Sequence, residues 1–298
     1  AIHDHGRDLL TDPVHVGHRD AVRLEQIVDR RLIGHAGRDG EVQFSLTTSV
    51  QLDDSAVDLD VDVPRHAPSG ERLDRQNPAT EVLLDENLEA AGHDYFSINA
   101  FDVNPQHTLL AWSSDTDGSE MYTMRFRDLA SGTDLPDELE NTTWGGTAWS
   151  ADGTVLFYVT ADEQMRPCTV WRHRLGTPQS ADEIVYDEPD ERFFVYVDLS
   201  RSGEWILIES ASKQSSEVHI VPAGQPHTAP AVVAPRRDDV EYTLDHWGDR
   251  WVVLTNLDAT DFRLMTAPLD QPGTWAELVP HVAGRRITSV EAFAGHLV

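Results

Sequence analysis

Ser150-Ala151-Asp152-Gly153, followed by Val155-Leu156-Phe157-Tyr158-Val159, sets a polar turn directly before a run of β-branched and aromatic residues. The arrangement returns as Ser200-Arg201-Ser202-Gly203 before Trp205-Ile206-Leu207-Ile208, and as Trp247-Gly248-Asp249 before Trp251-Val252-Val253-Leu254. An earlier copy is Asn104-Pro105-Gln106-His107 before Leu109-Leu110-Ala111-Trp112. Apolar runs of this kind, bounded by Gly, Asp, Ser and Pro, read as strands joined by tight turns. Gly153, Gly203, Gly248 and Gly295 mark a period, with intervals of 50, 45 and 47 residues.

Each unit continues into further strands, such as Met121-Tyr122-Thr123-Met124-Arg125-Phe126, Thr169-Val170-Trp171-Arg172-His173-Arg174 and Glu217-Val218-His219-Ile220-Val221. Four strands in a repeat of roughly 40 to 50 residues describe a β-propeller blade. A β-sandwich has turns at shorter spacing and no such longer period. The expected fold is all-β, a partial β-propeller of about four to five four-stranded blades from a ring of about seven. The fifth unit reaches Phe293-Ala294-Gly295-His296-Leu297-Val298 and stops where the earlier units enter their second strand. The expectation is a fragment, open at its C-terminal end, with sheet faces bare and marginal stability as an isolated chain.

The first part of the chain differs in composition. Residues 1–80 hold one aromatic, Phe44, whereas residues 81–298 hold the other 22, including all eight Trp and all six Tyr. Three readings stay open for it. It is a weakly ordered acidic arm, with too little apolar area to offset ordering entropy. Or it contains a small helix, since residues 21–33 place Val, Leu and Ile near helical spacing. Or it is translated out of frame, as the 22 Arg and one Lys of GC-rich coding would allow.

The 298 residues carry 23 Lys+Arg against 52 Asp+Glu, a net charge of −29, which excludes a basic nucleic-acid surface and argues against a polybasic membrane anchor. No run of 18 apolar residues is present to span a bilayer, and no export signal opens the chain, which starts at Ala1. Cys168 is the single cysteine, so no internal disulfide forms, in keeping with a cytoplasmic location.

Several stretches carry a family resemblance: Glu81-Val82-Leu83-Leu84-Asp85-Glu86-Asn87, Gly92-His93-Asp94-Tyr95-Phe96, Tyr122-Thr123-Met124-Arg125-Phe126-Arg127-Asp128-Leu129 and Val185-Tyr186-Asp187-Glu188-Pro189-Asp190-Glu191-Arg192-Phe193-Phe194. Val240-Glu241-Tyr242-Thr243-Leu244-Asp245-His246, and Leu254-Thr255-Asn256 with Asp261-Phe262-Arg263-Leu264, continue it. Together they resemble the propeller of the prolyl oligopeptidase family (peptidase S9), and within it the oligopeptidase B or protease II branch. The resemblance covers residues 77–298, and residues 1–76 do not match.

The resemblance implies a cytosolic serine peptidase that hydrolyses short peptides, after Arg or Lys in this branch. Its α/β-hydrolase domain lies mostly C-terminal to the propeller, which caps the active site and excludes folded proteins. That chemistry needs a Ser, Asp and His in this chain order, with the Ser on a G-x-S-x-G elbow. No G-x-S-x-G occurs, so no catalytic residue is assigned, and no cofactor is implied. An acidic rim would concentrate cationic peptides. The candidates for that rim, or for contacts to the hydrolase domain, are Asp115, Asp117, Glu120, Asp187, Glu188, Asp190 and Glu191; a solvated acidic surface is the plainer reading of each. The competing functional reading is a free-standing propeller that binds a partner without catalysis.

Other motifs carry less. Ser113-Ser114-Asp115-Thr116-Asp117-Gly118 has the rhythm of a calcium loop, but Met124 stands where a bidentate Glu belongs, so a hairpin turn on Asp-Gly is expected. His3, His5, His15 and His18 suggest metal ligands by number alone, and no metal site is assigned. Cys168 and His246 read as packing residues. The chain alone should leave an Arg-containing fluorogenic peptide uncleaved in a plate assay; turnover by the purified chain would overturn the missing triad.

Overall fold

The computed structural model describes residues 27–36, 42–51 and 80–298, with side chains from 82 onward. Strands β1 (Ile27–Ala36) and β2 (Val42–Gln51) pair antiparallel along their full length, and the short β3 (Thr80–Glu81) extends β2. The helix expected over 21–33 is corrected here: residues 27–33 are strand, and residues 21–26 lie outside the described residues. A four-residue spacing such as that of Val28 and Leu32 fits the sequence pattern of either a helix or a strand, and β-branched Ile27, Val28 and Ile33 favour the extended one. The acidic-arm and shifted-frame readings of the remaining N-terminal residues fall outside the described residues.

A single helical turn, α1 (Glu86–Glu89), is capped by the Asp85 carboxylate, which accepts from the Asn87 N–H. Strands then follow: β4 (Ser97–Val103), β5 (Leu109–Asp115), β6 (Tyr122–Asp128), β7 (Thr133–Trp149), β8 (Val155–Ala161), β9 (Pro167–Arg174) and, after a 3-10 turn at Gln179–Ala181, β10 (Glu183–Asp187). These seven form one antiparallel sheet in chain order. It is two blades sharing a strand. The 17-residue β7 pairs with β6 up to Thr142 and with β8 from Thr142 onward. It closes the first blade and opens the second. The third blade comprises β11 (Phe194–Leu199), β12 (Trp205–Ala211), β13 (Ser216–Pro222) and β14 (Ala231–Val232). The fourth comprises β15 (Tyr242–Trp247), β16 (Arg250–Thr255), β17 (Arg263–Pro268) and β18 (Ala276–Val279). A fifth unit opens with the bridge Ala292–Leu297. The expected partial propeller is thus present, with four blades of four strands among the described residues. No helix among the described residues is long and apolar enough to cross a membrane.

The repeating turn has a common bond pattern. The Ser150 N–H donates to Val155 O, the Gly153 N–H to Ser150 O, and the Val155 N–H to Ser150 Oγ. Ser200, Gly203 and Trp205 repeat all three bonds. In the first blade Asn104 replaces the serine, its Oδ1 accepting from the Thr108 and Leu109 N–H groups. Gly153 and Gly203 have φ of 67° and 74°, and His107 occupies the equivalent position at 56°. The glycine marker therefore begins one blade late.

Neighbouring blades bury their faces against each other. Phe126, Met124 and Leu139 of the first meet Trp149, Leu156 and Tyr158 of the second. Phe157, Val159 and Val170 of the second meet Val195, Val197, Ile206 and Ile208 of the third. Val218 and Ile220 of the third meet Tyr242, Leu244, Trp251 and Val253 of the fourth. Each fully buried Val, Ile, Leu or Phe contributes about 1.5–3 kcal/mol, so the faces dominate the stability. Polar links join the inner strands: Trp149 Nε1 donates to Asp102 O at 3.2 Å, and Thr147 Oγ1 to Asp102 Oδ2 at 2.9 Å.

Among the polar groups buried in this packing is a histidine between two carboxylates. His173 has its Nδ1 2.8 Å from Asp182 Oδ1 and its Nε2 3.1 Å from Asp137 Oδ1, and its ring stacks on Phe126 at 5.7 Å. Burial alone would push its pKa down; the bonds and charge of Asp182, then of Asp137, outweigh burial and hold the pKa above the usual histidine value. A raised folded pKa stabilises fully below the unfolded value of about 6.5, and the contribution disappears as pH rises through the folded pKa. Urea unfolding should therefore show His173→Gln destabilised by about 1–3 kcal/mol at pH 6, with the gap to the parent chain narrowing above the folded pKa.

Candidate functional site

Strand alternation sorts the connections into two ends. At one end lie the repeating turns, which touch across blades: Gln106 Nε2 donates to Ala151 O at 2.8 Å. At the other end lie the β5–β6 loop, the turn of β7 around Thr142, the β8–β9 loop, the β10–β11 link and the β14–β15 link. All seven acidic candidates lie at this second end: Asp115 ends β5, Asp117 and Glu120 lie in the β5–β6 loop, Asp187 ends β10, and Glu188, Asp190 and Glu191 lie in the β10–β11 link.

The seven divide by environment. Asp115 is buried, and its carboxylate accepts from the N–H groups of Asp117, Gly118 and Glu120, each at 2.9 Å. Burial pushes its pKa up, and these backbone donors outweigh it and leave the pKa below the usual aspartate value. Asp115 thereby folds the six-residue loop that carries Asp117-Gly118 between β5 and β6, wider than the Asp-Gly hairpin turn read from the sequence. Glu188 is also buried, accepting from Tyr186 OH at 2.8 Å, Ser210 Oγ at 2.6 Å and the Asp190 N–H at 2.9 Å, and pairing with Arg236. Burial again opposes ionisation, and Arg236 with the Ser210 and Asp190 donors outweighs it, so the pKa lies below the ordinary glutamate value. Asp117, Glu120, Asp187 and Glu191 are exposed. Asp187 accepts from Thr169 Oγ1 at 2.7 Å. Asp190 pairs with Arg192 at 2.7 Å, and that partner's hydrogen bonds pull its pKa down to about 2. Two carboxylates thus build the loops, and the others face outward or along the rim.

The structure adds an aromatic patch that sequence reasoning missed. Trp144 is 40% exposed and Phe194 is 37% exposed, large values for such side chains. Their rings stack at 6.1 Å, and half-buried Tyr196 meets Trp144 at 5.8 Å. Trp144 lies where β7 changes blades, and Phe194 and Tyr196 lie on β11, the inner strand of the next blade. Two glycines create this placement. A Cβ on Gly145 would lie 2.7 Å from Val159 Cβ, and one on Gly146 would lie 2.4 Å from Val197 O. The backbone of β7 therefore presses against β8 and β11, leaving Trp144 beside the start of β11. The legible signal was a tryptophan next to a glycine pair; its exposure was not legible.

Among the described residues no group of three or more His, Cys, Asp or Glu is placed to hold a metal ion, and His3, His5, His15 and His18 lie outside them. Cys168 is buried, and His246 is buried with Nδ1 2.8 Å from Ser202 Oγ and its ring edge-on to Trp251.

A family model described as "Prolyl oligopeptidase, N-terminal beta-propeller domain" matches residues 63–298. The chain belongs to the prolyl oligopeptidase family. Similar proteins include dipeptidyl aminopeptidase BI of Pseudoxanthomonas mexicana, 41% identical over 222 residues, covering 73% of this chain and 30% of the relative. Protease 2 of Moraxella lacunata is 34% identical over 224 residues, covering 75% of this chain and 32% of the relative. Among solved structures, oligopeptidase B of Leishmania major superposes with a TM-score of 0.68 at 31% identity, over 74% of this chain and 31% of that one. Oligopeptidase B of Trypanosoma brucei, in a closed form with covalently bound antipain, gives 0.68 and 31%, over 78% and 32%. The chain spans about a third of the length of these prolyl oligopeptidase relatives. Its match begins at residue 63, ahead of the resemblance read from residue 77.

The two kinds of carboxylate should separate by mutation. In urea unfolding, Glu188→Ala should cost about 3 kcal/mol, the low end for a buried pair because Arg236 keeps 28% exposure, whereas Asp117→Asn should stay within about 0.5 kcal/mol.

Proposed function

We propose that the chain is the substrate-admitting propeller of a cytoplasmic serine oligopeptidase that hydrolyses short peptides after Arg or Lys. Residues 77–298 form this propeller portion, and the nucleophile, base and orienting carboxylate belong to an α/β-hydrolase domain outside the chain. The observation that carries the reading is the pair of exposed rings, Trp144 and Phe194, with half-buried Tyr196, at the same end of the blades as Asp117, Glu120, Asp187, Asp190 and Glu191.

That combination suits a cationic peptide. Aromatic faces attract guanidinium and ammonium groups, by about 0.5–1 kcal/mol at exposed sites and more when water is excluded. The surrounding carboxylates, in a chain of net charge −29, raise the local concentration of cations and repel anionic peptides. A flexible peptide can lay a basic side chain on the patch as it passes the rim, whereas a folded protein offers no such extended segment. Kinship with oligopeptidase B supports the same substrate class.

Tryptophan fluorescence titration at low salt should show an Arg-containing pentapeptide binding more tightly than its Glu-substituted counterpart. Trp144→Ala should weaken the Arg peptide about three- to tenfold. Equal binding of both peptides, or no effect of the substitution, would sink the proposal; a peptide-independent protein partner would then favour the scaffold reading.

A further inference from the structure

Arg166, at the end of the β8–β9 loop, is 9% exposed, and its guanidinium is spent on the backbone of one short segment. Nη1 donates to the carbonyls of Glu188 at 3.2 Å, Asp190 at 3.3 Å and Phe193 at 2.8 Å, and Nη2 donates again to Glu188 O at 3.2 Å. Nε binds Asp162 Oδ2 at 2.8 Å. Asp162 is itself set by the N–H groups of Gln164 and Arg166, both at 3.0 Å to Oδ1. Three carbonyls of the β10–β11 link, including the one just before Phe194, are therefore held by one side chain from the β8–β9 loop. The next residue after Phe193 is Phe194, whose ring stacks on Trp144.

We infer that Arg166 is a positioning residue for the aromatic patch, one that sets where Phe194 and Tyr196 stand against Trp144. This rests on the reading of the patch as a peptide contact. The rigid planar fork is what the task requires. A lysine ammonium lacks the coplanar donors that fan across three carbonyls while holding a carboxylate. A second grip acts on side chains: the Arg236 guanidinium lies 3.8 Å from the Phe193 ring centroid and pairs with Glu188. Arg166 holds the backbone of the link, and Arg236 holds its buried side chains. The outward carboxylates and Phe194 remain free to meet solvent.

The test uses the full chain with Arg166→Met, Arg166→Lys and the milder Asp162→Asn, each checked for fold by far-UV circular dichroism. Two readouts are taken. The first is acrylamide quenching of Trp144, isolated by difference against the same variant carrying Trp144→Phe. The second is the Kd for the Arg-containing pentapeptide. Arg166→Met should raise Trp144 quenching about twofold and weaken the peptide about tenfold; Arg166→Lys should not restore either, and Asp162→Asn should shift both by a smaller factor. If Arg166→Met does not fold, Asp162→Asn decides. Unchanged quenching in a folded variant overturns the positioning role. Raised quenching with an unchanged Kd, while Trp144→Ala still weakens the peptide, overturns its bearing on binding and leaves Arg166 a purely structural residue. A Trp144→Ala chain that binds as tightly as the parent removes the peptide reading itself, and the inference about binding with it.

Discussion

A four-stranded sheet with apolar side chains on both faces cannot stand in water, and each blade of this chain is such a sheet. Val195, Val197, Ile206 and Ile208 face the second blade, while Trp205 and Leu207, one residue out of phase along the same strand, face the fourth. The alternation inherent in an extended strand thus commits every blade to two neighbours. The rest follows from that commitment: the order of the blades, the narrow tolerance for side chains between them, and the need to satisfy any polar group that enters.

Two of the polar groups that enter are engaged on several sides. His173 lies between two carboxylates, and Glu188 collects two hydroxyls, an amide and a guanidinium. Buried charges are costly unless paired, and each of these is paired across a junction: His173 with Asp137 between the first two blades, Glu188 with Ser210 and Arg236 between the second and third. Such bonds resist sliding in a way that apolar contact does not, because a shift of one residue leaves an unpaired ion. Register between blades is therefore held by ions, and bulk stability by hydrocarbon.

The same junctions position the candidate site. Gly145 and Gly146 allow β7 to lie against two other strands, and the tryptophan before them is left at the surface because the blade faces have no volume for it. Phe194 opens the next inner strand, and the segment before it is tethered by Arg166. Exposure of two aromatic rings beside a half-buried third is thus a consequence of close packing nearby. The outward acids sit on loops at the same end, opposite the serine-based turns.

Much of this was legible in the residues alone. Strands and turns show as local chemistry, and their recurrence every 45 to 50 residues shows the blade, because each blade needs the same turn at the same place. Even the departures have local causes: His107 stands where later blades use glycine, since the position requires only a positive φ. The β1 segment misled because a four-residue spacing suits a helix and a strand equally, and only the partner strand β2 distinguishes them. The acidic residues could be counted from sequence, but not sorted: whether a carboxylate builds a loop or faces solvent depends on donors as distant as Arg236 is from Glu188. Periodicity determined the class of fold, and the resemblance of several short stretches pointed to the family, because both are written in neighbouring residues. The aromatic patch and its arginine tether were decided by tertiary structure, because they join residues some 50 positions apart, Trp144 to Phe194, that meet only when the blades close on each other.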